Sequence, residues 1–355
     1  MAQPSVERPV TTTHDAKPSK PPEANDRDAF FDNAKFFAIL LVVVGHSIEP
    51  LRDHLRVAAA GYLWIYIFHM PAFIVIAGFF TKNFEAAPRK IQRLVSGVVV
   101  PYLIFEVVYT AQLFWTQPND PPNWSLLAPA YLDWFLASLF MWRLTSPIWR
   151  YIRWPLALAT GVSLLAGLTE FGKTLGMTRT LQLLPFFVLG MVLRREHFEF
   201  LHRPWVRAVA VAILAVTALT VLFFLYKASA EWVYWRKTLS DRGVDPVYGT
   251  AVRAGMLVGT TVITASFLAL IPRKRYWFTS LGAGTIYAYL LHGLVVRTVK
   301  HLGLYHHLHS YLGLAITIVA AVGLALLLMS GPVRWLTRWA VEPKVGWLFP
   351  RSRTS

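Results

Sequence analysis

Apolar and polar positions in this chain fall into long alternating blocks. From residue 29 onward, apolar runs recur at about 29 to 48, 60 to 80, 94 to 115, 124 to 142, 154 to 170, 179 to 194, 205 to 226, 250 to 271, 278 to 297 and 311 to 333, separated by short polar or basic joints. Runs of this kind approach the ~20 residues that a helix needs to cross a bilayer. The pattern predicts an all-α, polytopic membrane bundle of about ten transmembrane helices. Pro71, Pro101, Pro129 and Pro185 fall inside these runs. Membrane helices tolerate such breaks where neighbours re-satisfy the freed carbonyls. The bundle has no internal repeat of the kind that inverted-repeat transporters carry.

Ahead of the first run, residues 1–28 are polar, proline-rich and without periodicity, and read as a disordered cytoplasmic tail. The membrane domain is then 29–341, with 342–355 a short cytoplasmic tail. A cleavable leader is not expected, because the polar stretch before the apolar run is too long.

Composition supports this reading: 55% of residues are hydrophobic, 14% aromatic and only 15% charged. A net charge of +16 raises nucleic acid as a partner, yet the basic residues are scattered between apolar blocks and form no reader motif, so nucleic acid is excluded. Most of the 35 Lys and Arg fall on one side of the expected topology, including Lys82, Arg89, Arg143, Arg194 and Arg273 to Arg275. By the positive-inside rule both termini face the cytoplasm. A multi-pass protein of the bacterial plasma membrane is expected. The chain has no cysteine, which removes disulfides, thiol nucleophiles and thiolate metal sites.

The chemistry concentrates in the first run, AFFDNAKFFAILLVVVGHSIE, from Ala29 to Glu49. Its wholly apolar core, Phe36 to Gly45, is too short to span unless Asp32, Lys35 and His46 are drawn into or against the bilayer. Each such residue costs roughly 2.5 to 3.5 kcal/mol on insertion scales and marks a functional-site hypothesis. From Lys35 to His46 the helix turns about 1100°, close to three whole turns, so the two share a face roughly 16 Å apart. The plainer alternative has Lys35 reaching the headgroups, paired with Asp32, and His46 at the opposite interface.

FDNAKFFAILLVVVGHSIEPL is followed by IFHMPAFIVIAGFFTK (Ile67 to Lys82), DWFLASLFMWRL (Asp133 to Leu144), LPFFVLGMVL from Leu184 and LGAGTIYAYLLHG (Leu281 to Gly293). In this order and spacing the blocks resemble the acyltransferase 3 family, and most closely its fucose 4-O-acetylase-like branch, over roughly residues 29 to 335. The family's basic-x10-His motif falls on Lys35 and His46, with Lys where Arg is commoner. The resemblance implies transfer of an acyl group, usually acetyl, from acyl-CoA as co-substrate to a hydroxyl of a carbohydrate or glycosylated product. No tightly bound cofactor is implied.

O-acyl transfer needs a base at the acceptor hydroxyl, donors for the oxyanion and cations for the donor's phosphates. His46 suits the first role, and direct transfer and a covalent acyl-imidazole are both open. Glu49 could orient it. Lys35 would hold the pantetheine or a phosphate of acyl-CoA, with Lys82, Arg89 and Arg143 gathering the remaining phosphates; each of these cations is also what membrane topology alone would place there.

Glu106, in the third run, is too costly to leave unpaired and joins His46 and Lys35 as a catalytic candidate, partnered by Lys35, a histidine or a hydroxyl. His69, Asp133 and Trp134 are acceptor-binding candidates, Trp134 as a stacking platform for a sugar face. His292 reads as a packed helix contact. His301, His306, His307 and His309 follow no ligand spacing and carry no metal expectation. The segment from Lys227 to Gly249 reads as a lid over the acceptor or, more plainly, as an interfacial connector with aromatic anchors. A transporter or flippase for a glycosylated lipid or natural product is the alternative, with Lys35, Glu106 and His46 lining its path. Oligomeric state is left open.

Overall fold

The computed structural model describes residues 28–119, 124–172 and 174–349; the expected tail, apart from Asp28, lies outside them. Among the described residues all regular structure is helical. The principal helices are α1 (Ala29–Ile48), α2 (Arg56–Thr81), α3 (Pro88–Thr116), α4 (Trp134–Trp149), α5 (Pro155–Leu168), α6 (Met177–Gln182), α7 (Leu184–Val192), α8 (Arg195–Leu201), α9 (Pro204–Leu225), α10 (Pro246–Leu270), α11 (Trp277–His301), α12 (Tyr311–Leu328) and α13 (Gly331–Val341). Among the described residues seven helices are long and apolar enough to cross a membrane: α1, extended to Leu51, with α2, α3, α9, α10, α11 and α12. The bent segment containing α6 and α7 makes an eighth when it is counted as one span. The sequence predicts about ten spans, and the described residues supply seven, or eight with the bent segment.

Local chemistry sets the helix starts. Asp28 accepts from Phe30 N, Asp245 from Tyr248 N at 2.8 Å and Ser310 from Gly313 N at 3.0 Å, each satisfying an amide that the helix leaves open. Two expected spans differ from the pattern. The run at 124 to 142 is helical only from Trp134, because Pro129 and the turn before Asp133 hold the preceding residues out of a helix. The run at 179 to 194 breaks by 57° at Leu183, two residues before Pro185, whose missing amide cannot continue the hydrogen-bond ladder of the preceding helix.

The helix α1 is the centre of the bundle, packed against α2, α11 and α12. Ala34, Ala38, Ile39 and Val43 on it are fully buried. Asn33, also fully buried, donates to the carbonyls of Pro272 (2.8 Å) and Lys274 (3.0 Å) and accepts from Thr279 Oγ1 (2.7 Å), which ties the α10 to α11 connection to α1. The helices α2 and α7 cross backbone to backbone. A Cβ on Gly78 would lie 2.1 Å from Phe187 O, and one on Gly190 2.1 Å from Val75 O. Small residues at that crossing are what permit the approach. The chain between α9 and α10 folds over the end of the bundle that carries His46.

Candidate active site at the His46 end of the bundle

His46 stands in the last turn of α1, just before the Glu49–Leu51 turn. It is one wall of a cavity of about 280 Å³ that is also lined by Tyr66, His69, Tyr131, Trp134 and Arg179. The Tyr131 hydroxyl lies 3.0 Å from His46 Nδ1, and the Tyr66 hydroxyl lies 3.2 Å from each ring nitrogen. A neutral imidazole donates from one nitrogen and accepts at the other. In the tautomer that donates Nδ1–H to Tyr131, Nε2 is the basic atom.

Tyr131 reaches His46 from a backbone conformation that side chains rarely adopt. Its φ of 50° costs a non-glycine residue of order 1–3 kcal/mol and persists only where neighbours hold it. They do so on both sides. Glu106 Oε2 accepts from Ala130 N at 2.8 Å, and Tyr289 donates to Leu132 O at 2.6 Å. The Arg297 guanidinium covers the Tyr131 ring at 5.0 Å. Gly293 leaves the room: a Cβ there would stand 2.7 Å from the Tyr131 ring and 2.5 Å from the Tyr109 hydroxyl.

Two further histidines flank His46. His292, fully buried, has its ring centroid 5.2 Å from that of His46. It donates from Nδ1 to Ala288 O at 2.8 Å, and its buried Nε2 has no hydrogen-bond partner among the described residues. His69 likewise donates from Nδ1 to Ile65 O at 2.8 Å, which leaves Nε2 as its free acceptor.

The segment between α9 and α10 covers the cavity, with Glu231, Tyr234, Trp235 and Arg236 in its lining. Arginines fix this lid by its carbonyls: Arg179 Nε donates to Tyr234 O at 2.8 Å, Arg253 to Lys237 O at 3.1 Å, and Arg242 to Glu231 O. Arg253, 2% exposed, also stacks against Trp232 and Trp235. Within the lid Glu231 pairs with Arg236 through both carboxylate oxygens, and that hydrogen-bonded partner holds the Glu231 carboxyl below its ordinary range.

Of the residues singled out from sequence, the structure brings His46, His69 and Trp134 onto one cavity, together with Glu49. The ring of Trp134 is covered by the Arg179 guanidinium at 4.3 Å, so the surface it offers is a cation and not a bare indole face. Asp133 is fully buried at the start of α4, with no partner for either carboxylate oxygen among the described residues, and it does not line this cavity. Glu106 stands behind the wall, bonded to Ala130 N. Lys35 pairs with Asp32 at 2.7 Å, and Lys82 lies over the Phe79 ring at 4.1 Å. Arg143 is half-buried and Arg89 exposed. None of these four cations lines the His46 cavity. His54 and His309 stack at 3.5 Å, and no group of metal-binding side chains forms among the described residues.

Sequence reasoning missed Tyr66, Tyr131, Arg179 and Glu231. Tyr62, Tyr66 and His69 follow one another at helical spacing along α2, a polar stripe on an apolar helix, and this was the legible sign of the site. Tyr131 carries no comparable sign, since its approach depends on a loop conformation.

The acyltransferase domain of the acyltransferase 3 type matches residues 28–330. The chain belongs to that family. Nodulation protein NolL of Mesorhizobium japonicum is 32% identical over 105 residues, covering 28% of this chain. The match spans about a quarter, 26%, of that relative's length. No solved structure matches the chain.

Proposed function

We propose that the protein is an integral membrane O-acyltransferase of the fucose 4-O-acetylase-like branch. It moves an acetyl group from acyl-CoA to a hydroxyl of a carbohydrate or glycosylated product. The observation that carries this reading is His46, in a chain of this family, held by two tyrosine hydroxyls in a cavity with room for an acceptor.

His46 Nε2 takes the proton of the acceptor hydroxyl as its oxygen attacks the thioester carbonyl. The tetrahedral oxyanion draws on the Tyr66 hydroxyl, the donor beside the ring. Collapse breaks the C–S bond, and the imidazolium returns the proton to the departing thiolate. Neither tyrosine forms a covalent bond. Tyr131 sets the tautomer and orientation of His46, and Glu106 acts through the backbone that presents Tyr131.

The donor enters from the Lys35 end. Lys35 stands three helical turns, roughly 16 Å, below His46, a separation that the extended pantetheine arm can bridge. Lys82, Arg89 and Arg143 hold the nucleotide phosphates near that end. The test is free-thiol release from acetyl-CoA by protein in nanodiscs, with pooled glycoside acceptors. Thiol release that depends on acceptor supports the reading. Lys35→Ala should raise the donor KM about tenfold or more, with Lys35→Arg near wild type. Failure of the protein to bind or consume acetyl-CoA would overturn the enzyme assignment and return the transporter reading.

A further inference from the structure

Beside the cavity at His46 lies a second one, of about 720 Å³, bounded by the start of α4, the segment before α6 and the lid. The two share Tyr131, Trp134, Arg179 and Arg236 in their walls. Arg179 therefore stands in the wall common to the two, beside where a ligand with its hydroxyl at His46 would lie.

The charges at this junction are not equally occupied. Arg236 is satisfied by Glu231. Asp241 accepts from Thr238 N at 2.8 Å and Glu170 from Ser240 Oγ at 3.0 Å. Arg179 differs. Its Nε is held by Tyr234 O and its plane by Trp134, but among the described residues no carboxylate lies within ion-pair distance of it, Glu231 acting only from farther off, and Nε carries its one side-chain hydrogen bond. A guanidinium fixed at one edge and on one face presents its remaining fork in a set direction. That is the arrangement which recognises a carboxylate or phosphate through two parallel charge-assisted hydrogen bonds. Without such a partner, a half-buried cation next to another arginine is a standing cost.

We infer that Arg179, backed by Trp134, is an anion subsite that binds a carboxylate or phosphate carried by the acceptor beside its reacting hydroxyl. The acceptor is thus an acidic glycoside or a sugar phosphate and not a neutral sugar. This rests on the acyltransferase reading for the identity of the ligand, but the subsite can be tested without turnover.

The experiment is saturation-transfer NMR on the full chain in nanodiscs without acyl-CoA, comparing methyl glucuronide, glucose 1-phosphate and methyl glucoside. At least one anionic glycoside should bind about tenfold more tightly than the neutral one. Which one does so identifies carboxylate or phosphate as the source of the charge. In Arg179→Gln that preference should vanish, while Lys300→Gln, an exposed cation outside both cavities, keeps it. Should Arg179→Gln fail to fold, protection of Arg179 from phenylglyoxal in the wild-type protein, by the anionic glycoside and not the neutral one, is the second readout. Equal binding of all three in the wild type, no binding of either anion, or a preference that survives Arg179→Gln overturns the subsite. Anion preference in a protein that consumes no acetyl-CoA leaves the subsite standing and removes the enzyme reading.

Discussion

At the residue scale the account turns on how His46 is held. Its ring sits between hydroxyls delivered by two unrelated segments, Tyr66 from α2 and Tyr131 from the loop before α4. If Tyr131 fixes the tautomer, Tyr131→Phe removes one hydrogen bond and little else. Stability should fall by no more than about 0.5–1.5 kcal/mol. Turnover should fall about tenfold or more with the donor KM unchanged, since the imidazole then occupies wrong orientations for part of the time. Thermal unfolding beside steady-state thiol release separates the two effects. A rise in donor KM in place of the fall in kcat would move Tyr131 from the base to the donor.

At the element scale the loop from 124 to 133 connects sequence to site. Its composition resembles the spans around it, so hydropathy extends a helix across it; the backbone instead turns out to carry Tyr131 to the end of α1. Glu106 is one of its anchors, with Tyr289 on the other side. Glu106→Gln keeps an oxygen for Ala130 N and should be close to wild type. Glu106→Ala leaves that amide unsatisfied and should cost about 1–3 kcal/mol, with activity reduced in step. Differential scanning of both variants checks this, and a Gln variant as impaired as the Ala variant would mean that the carboxylate charge itself is needed. The remaining elements were readable because each rests on a local rule: apolar run length for α1, α2, α9 and α12, and basic joints for their ends. His46, His69 and Trp134 were readable because polar and aromatic groups in apolar surroundings stand out. The approach of α7 to α2 at Gly78 and Gly190, the bend at Pro185 and the seat of Arg179 over Trp134 depend on contacts between segments far apart in the chain. Spacing along one helix carries no trace of them.

At the scale of the whole molecule, the chain separates a cationic end from a histidine end along α1 and closes the histidine end with a lid. The pair inside the lid, Glu231 with Arg236, depends on Glu231 being ionised. Because Arg236 holds its carboxyl below the ordinary glutamate range, the pair's contribution is complete above that range and is lost as pH falls through the folded-state value. Protection from hydrogen exchange across residues 231–242, taken against the intrinsic amide rate at each pH, should therefore fall on acidification. Glu231→Gln at neutral pH should show the lowered protection already, with a smaller further response to acid. The lid carbonyls bound by Arg179, Arg253 and Arg242 give the lid a second set of contacts, so the change is a loosening and not an unfolding. The central claim, that His46 is the base of an acyl transfer, is tested most directly by acetyl-CoA consumption in nanodiscs, wild type beside His46→Ala, each verified as folded by its melting curve. The account predicts acceptor-dependent thiol release in the wild type and a loss of at least a hundredfold in His46→Ala with acetyl-CoA binding intact. Undiminished turnover in a folded His46→Ala protein would contradict it.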